Sequence, residues 1–330
     1  MKWCSPEFLL NILQNLFQNG NYNQVFKLLD NLEDTIELPD HLGGFDADLN
    51  NTILSAINNQ ASQKNQTHTV IITFPLDPDV KAQYPTLNFQ YHIPKHLFCA
   101  FDTYNIHPPI NFKNFICSFN RAPHVGRQLL VAILHKFNWF NPNYCSKHFS
   151  FDASTLDGHI ETYTGTRYNL YNKFFLARED DNFFQYTNNF EFSKIPQSQN
   201  IYKLDSRLTE SFVHLVSETM ATSYYPLITE KFLYSVITRG LFLTYGQPGW
   251  YAHLEKYFGF KRYDKLFDYR FDSIQNPVTR LVELMTMLGK FSHLSQEEWN
   301  ELYLIESDTI EYNYDHYFSG NYLNKLKELA

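Results

Sequence analysis

The sequence predicts an α/β protein whose second half is a parallel, Rossmann-like sheet with helices on its faces. Two segments, "NFICSFN" at 114–120 and "LFLTYG" at 241–246, read as strands. Between them the chain switches to helical spacing, with a helix over 229–239 that stops at Gly240. Strands that alternate with short helices need crossover connections, and crossovers produce parallel pairing.

Taken in order, residues 6–34 read as two helices broken at "NGNYN". Phe8, Leu9, Ile12, Leu13, Leu16 and Phe17 recur at helical spacing, with Ser5 as cap and Pro6 in the first turn. Asn11, Gln14 and Asn15 interrupt that stripe, which excludes a signal peptide, and no run of 18 apolar residues exists to span a membrane. A further helix is expected over 46–60. "TVIITFPL" (69–76) and "HLFCAFDTY" (96–104) follow as strands, and the proline pair in "NIHPPINF" (105–112) is the expected linker.

Beyond it come the strand 114–120, the loop "RAPHVG" and a helix from about Arg127 to Asn138. Residues 141–210, rich in Asn, Tyr, Phe and Asp, read as an insertion with short strands. The strand "SFVHLVSET", the helix 229–239, the strand "LFLTYG" and the helices "GWYAHLEKYF" and 276–291 complete the pattern. The expected domains are 1–111, a smaller α/β unit, 112–292, the Rossmann-like unit, and 293–330, a helical extension.

Composition narrows the function. A net charge of −8 argues against a broad grip on a nucleic-acid backbone, which needs surplus Lys and Arg. Thirty Phe and 23 Tyr supply core volume. Cys4, Cys99, Cys117 and Cys145 form no C-x-x-C pair and read as reduced thiols of a cytoplasmic protein. No G-x-G-x-x-G or G-x-x-x-x-G-K-[ST] occurs, which disfavours dinucleotide and P-loop chemistry.

In an open parallel sheet, ligands sit beyond the carboxyl ends of the strands, where helix N-termini favour phosphate. Two such turns stand out, "FNRAPHVGR" after 114–120 and "SETMATSYYPLITEK" after 211–217. In the second, Thr229, Glu230 and Lys231 open a helix. Thr229 suits a cap and Glu230 the positive end of the dipole, but a cation there carries a small penalty unless an anion lies nearby. A bound phosphate is one such anion, and an ordinary solvated lysine is the alternative.

The "VSET … LTEK … GF" layout with an upstream "FN-R" segment resembles the donor domain of fucosyltransferase-like glycosyltransferases of the GT-B class, and related glycosyltransferases of phages and large viruses. The resemblance covers roughly 112–292. It implies a metal-independent glycosyltransferase that moves a sugar from a nucleoside-diphosphate sugar, its donor substrate, to an acceptor hydroxyl, with no separate cofactor. It places Lys231 and either Arg121 or Arg127 on the diphosphate, Glu230 on the ribose, and Glu218 at the strand end, where it would orient the loop or touch the sugar. The surroundings of the family's Phe-Glu-Asn stretch are not reproduced between Glu218 and Thr229, so neither fucose nor guanine is implied.

Thr229 completes the nucleotide-binding set, and Tyr225 is a candidate to stack on a base or sugar, with core packing as its alternative. Asp102, Asp77, Asp79 and Asp46 are candidates for a general base from the first domain. "DPD" (77–79) and "DAD" (46–48) form an alternative metal site. Two other functions fit the same residues, a non-catalytic nucleotide-sugar-binding protein and a phage DNA-base glycosyltransferase.

Overall fold

The computed structural model describes residues 35–37, 47–72, 78–91, 100–102, 109, 111–120, 123–150, 201–204, 206–218 and 228–328. The chain divides into two compact units, 1–94 with 326–330, and 95–325. The division falls after Pro94, ahead of the expected linker at Pro108 and Pro109. The physical reason is pairing, because strand β4 (Ala100–Asp102) belongs to the second unit through β7 (Ile201–Lys203). Asp102, expected in the first domain, therefore belongs to the second unit and registers with Lys203.

The first unit holds strands β1 (Thr35–Glu37), β2 (His68–Ile72) and β3 (Leu87–Tyr91), all parallel in the order β1-β2-β3. Helix α1 (Ala47–Lys64) connects the first pair, and the short α2 (Pro78–Lys81) lies between the second. Leu54, Ile57, Ala61 and Val70 are buried. Strands β1 and β3 were not expected. They are only three and five residues long, too short to show a period.

The second unit is built on a four-stranded parallel sheet. Strand β5 (Asn114–Asn120) leads through helix α3 (Val125–Lys136) to β6 (Cys145–Lys147), and β8 (Ser211–Ser217) leads through α4 (Glu230–Ile237) to β9 (Leu241–Tyr245). All seven residues of β8 and all five of β9 are buried, as their continuous apolar pattern requires.

Side chains alternate across the sheet, so the two faces can be assigned from contacts. On one face Phe232 of α4 packs edge-on against Phe242 at 5.8 Å. On the other the Tyr245 hydroxyl donates to the carbonyl of Pro277, the first residue of α6 (Pro277–Gly289). Between them α5 (Trp250–His253) continues as a π-helical turn, Leu254–Phe258.

Helices α7 (Gln296–Ile305), α8 (Ser307–Phe318) and α9 (Asn321–Lys327) close the chain. Helix α7 begins with a capping box between Ser295 and Glu298, and its Trp299 stacks on Phe212 of β8 at 5.9 Å. Phe112, Phe212, Phe232, Phe242, Trp250, Tyr251 and Tyr263 are fully buried, so the abundant aromatics fill the core. Each such side chain contributes about 1.5–3 kcal/mol of burial. Trp250 is accordingly part of the core. Gly240 is needed for close approach, since a Cβ there would lie 2.0 Å from Cε1 of His214, while the left-handed turn after α4 is taken by Arg239.

Among the described residues no helix is long and apolar enough to cross a membrane. Cys117 and Cys145 are buried free thiols, and burial pushes Cys145 up to about 12.

Candidate functional site

The sheet order is β6-β5-β8-β9. From β5 the chain crosses to β6 on one side, then returns to β8 on the other and crosses onward to β9. The crossovers leave β5 and β8 in opposite directions, so a topological switch point lies between the carboxyl ends of these two strands. The two turns singled out by sequence are the segments that leave these ends. The fold brings them to neighbouring strands.

The turn into α4 is closed by its own carboxylate. Glu218, fully buried, accepts from the Thr229 N–H at 3.1 Å and from the Thr229 hydroxyl at 2.5 Å. That hydroxyl in turn accepts from the Lys231 amine at 2.9 Å and, more weakly, from the Lys231 N–H at 3.4 Å. Thr229 is thus the helix cap that its residue type predicts. The anion required by a cation in the first turn is supplied in part by the chain, through a Glu218–Thr229–Lys231 relay. Glu218 thereby fixes the start of α4.

The turn into α3 is different. His124 occupies the cap position in extended conformation with no side-chain capping bond, and no acid stands in the first turn. Arg127, one turn in, is buried. Burial first, then the charges of Arg127 and Lys231, pull His124 down to about 4. Both cations therefore act on one imidazole, which ties the two turns into one electrostatic site and keeps His124 neutral near pH 7.

The strand ends continue this polar edge. Asn120, fully buried, donates its N–H to the Ser146 hydroxyl at 2.9 Å and its side-chain NH₂ to Ser118 Oγ at 3.0 Å, while Ser118 donates to the Leu215 carbonyl at 2.8 Å. Its Oδ1 is buried with no hydrogen-bond partner. Lys147, the last residue of β6, registers with Asn120 and donates to the Phe149 carbonyl at 2.9 Å.

Beside Lys231 a cavity of about 30 Å³ is lined in part by Ser118, His214, Ser217, Tyr234 and Ser235. That volume suits one or two waters and no nucleotide. His214 Nε2–H donates to the Leu208 carbonyl, and burial pulls the ring down to about 4, so it is neutral with Nδ1 bare. Nδ1 of His214 and Oγ of Ser235 have no partner.

Of the residues expected at the site, the fold brings Arg127, Glu218, Thr229 and Lys231 to the strand ends. Arg121 and Tyr225, and the side chains of Asp102 and Glu230, lie outside the described residues, as do Asp46 and Asp77. Asp79 is exposed in α2, and Asp48 stands inside α1, so among the described residues "DAD" falls at a helix start. Among the described residues no three His, Cys, Asp or Glu side chains converge as a metal group. Sequence reasoning missed His124, Asn120 and Lys147. The first two sit in the quoted "FNRAPHVGR", and Lys147 lies in the stretch 141–210 that showed no period.

Comparison of the chain with family models, curated proteins and solved structures gives no match.

Proposed function

We propose that the protein is a glycosyltransferase of the GT-B type that binds a nucleoside-diphosphate sugar at the carboxyl ends of β5 and β8, without a metal. One arrangement carries the reading: Arg127 and Lys231 stand in the first turns of the two crossover helices that leave β5 and β8, on either side of a topological switch point. Glycosyl transfer leaves negative charge on the departing diphosphate, and a site without a metal meets that charge with Arg, Lys and helix N–H groups. Arg127 offers a bidentate fork and Lys231 a point charge. An arriving diphosphate would also favour protonation of His124, which adds a third cation as charge develops.

Glu218 holds Lys231 and Thr229 in place. Its engagement favours a second reading, a non-catalytic nucleotide-sugar-binding protein, because a carboxylate bonded twice to Thr229 is poorly placed as a base.

Calorimetry with nucleoside diphosphates and inorganic pyrophosphate tests the site. Binding is expected with and without EDTA, and turnover of a nucleotide sugar, where present, should survive chelation. Loss of both on chelation with recovery in Mn²⁺ would move the site to the "DPD" segment. Saturable binding without turnover of any nucleotide sugar would select the second reading.

A further inference from the structure

The proposed donor site uses β5 and β8 only, yet the polar edge runs on to β6. Lys147 ends that strand and is buried. Removing an ammonium from water is costly, so a buried lysine at a strand end is an unusual placement. Its register neighbour Asn120 holds a buried carbonyl oxygen that accepts from nothing, a loss of the kind native proteins keep to a few positions. The amide orientation is fixed by its neighbours, since Ser118 already donates to Leu215 and so accepts from Asn120. The orphan is therefore an acceptor and needs a donor from outside.

We infer that Asn120 and Lys147 extend the ligand site along the carboxyl edge from β5 to β6, with Asn120 accepting from a ligand hydroxyl and Lys147 binding a ligand phosphate or other anionic oxygen. This rests on the anion-binding reading of the switch point. Strands lie about 4.8 Å apart, so the gap between β5 and β8 is about 7 Å from β6. A nucleotide-sized ligand covers that span, whereas a single inorganic phosphate at the switch point does not. On entry, a ligand oxygen would replace the Phe149 carbonyl as acceptor for the amine. Ligands with a hydroxyl beside the phosphate, as in ribose or a sugar, match the pair of partners offered.

Pyridoxal 5′-phosphate tests this, as an anionic aldehyde of the right length. Its phosphate would seat near Arg127 and Lys231, and its aldehyde carbon would meet the amine of Lys147. The amine displaces the carbonyl oxygen as water to give an imine, and borohydride reduces that imine to a stable secondary amine. Burial lowers Lys147 to about 8, so near pH 8 about half of it is the nucleophilic neutral form.

Mass mapping of the full chain after labelling at pH 8 should place the adduct on Lys147, and nucleoside diphosphates should prevent it. Calorimetry of a folded Lys147→Met variant should show nucleoside diphosphate binding weakened at least tenfold. Asn120→Asp should weaken it likewise, by setting a carboxylate where the ligand's oxygens lie. Labelling at Lys231 or surface lysines alone, or unchanged affinity in a folded Lys147→Met variant, would overturn the extension and leave the switch-point site standing. Failure of the native chain to bind any nucleoside diphosphate would overturn both.

Discussion

The two turns at the switch point are built on opposite principles. The turn into α4 carries its own counter-charge, with Glu218, Thr229 and Lys231 joined in a buried relay. The turn into α3 has no acid and no capping side chain, and holds Arg127 beside a neutral His124. A helix N-terminus with an internal carboxylate is already stabilised, whereas one with neither a first-turn acid nor a capping side chain leaves its dipole unanswered by its own first turn. The difference teaches that the "TEK" sequence, the more conspicuous of the two, builds a self-contained helix start. The plainer "RAPHVGR" is, under the proposed function, the half that would meet the ligand.

The largest expected effect breaks the closed turn. Glu218→Ala would strip the Thr229 N–H and hydroxyl of their buried acceptor and should lower stability by about 2–4 kcal/mol in urea unfolding. A loss below ~1 kcal/mol would mean the relay does not hold the turn.

Acid is expected to act at the same side through His214, buried under α4. Its folded-state value is depressed from 6.5 to about 4, so the unfolded chain takes up the proton first as pH falls. The stability this neutral ring contributes is complete above pH 6.5 and is lost as pH drops toward 4. At about 1.4 kcal/mol per pH unit the loss amounts to about 3 kcal/mol. A His214→Gln variant should show a flatter stability profile across that window, and an unchanged slope would show that another group sets it.

In binding, the order should reverse. Arg127→Met should reduce pyrophosphate affinity by about 3 kcal/mol, and Lys231→Met by about 1.5 kcal/mol, because Glu218 already balances part of the lysine's charge. Calorimetry on both variants decides it. Equal losses would remove the asymmetry between the turns, and no loss in either would end the case for a phosphate site.

The smallest effects compare the caps. Thr229→Ala should cost about 1 kcal/mol of stability. His124→Ala, at a cap position without a capping bond, should cost no more than a few tenths of a kcal/mol. Thermal unfolding at pH 7 measures both, and similar costs would show that His124 contributes to the helix in some other way.

Much of the second unit was legible in the chain because its signals are local. β5 runs over Asn114–Asn120, the strand read from "NFICSFN", because its Phe and Ile favour extended backbone and the alternation of strand with helix continues after it. Thr229 caps its helix because a hydroxyl at that position satisfies a neighbouring N–H whatever surrounds it. The short strands β1, β3, β6 and β7 carry too few residues to declare a period, and their partners alone make them strands.

What the sequence by itself determined is thus the α/β class, the strand and helix alternation of the second half, and the two turns that lead from strand ends into helix N-termini. Only the tertiary structure decided that β6 docks outside β5 while β8 docks inside it. That choice creates the switch point and sets Lys147 beside Asn120. It also decided that Glu218 reaches across eleven positions to Thr229, whose hydroxyl in turn accepts from Lys231. The physical reason is range: propensity and capping act within a few residues, whereas strand order, charge balance and the burial of an unpaired acceptor depend on which distant segments share one sheet edge.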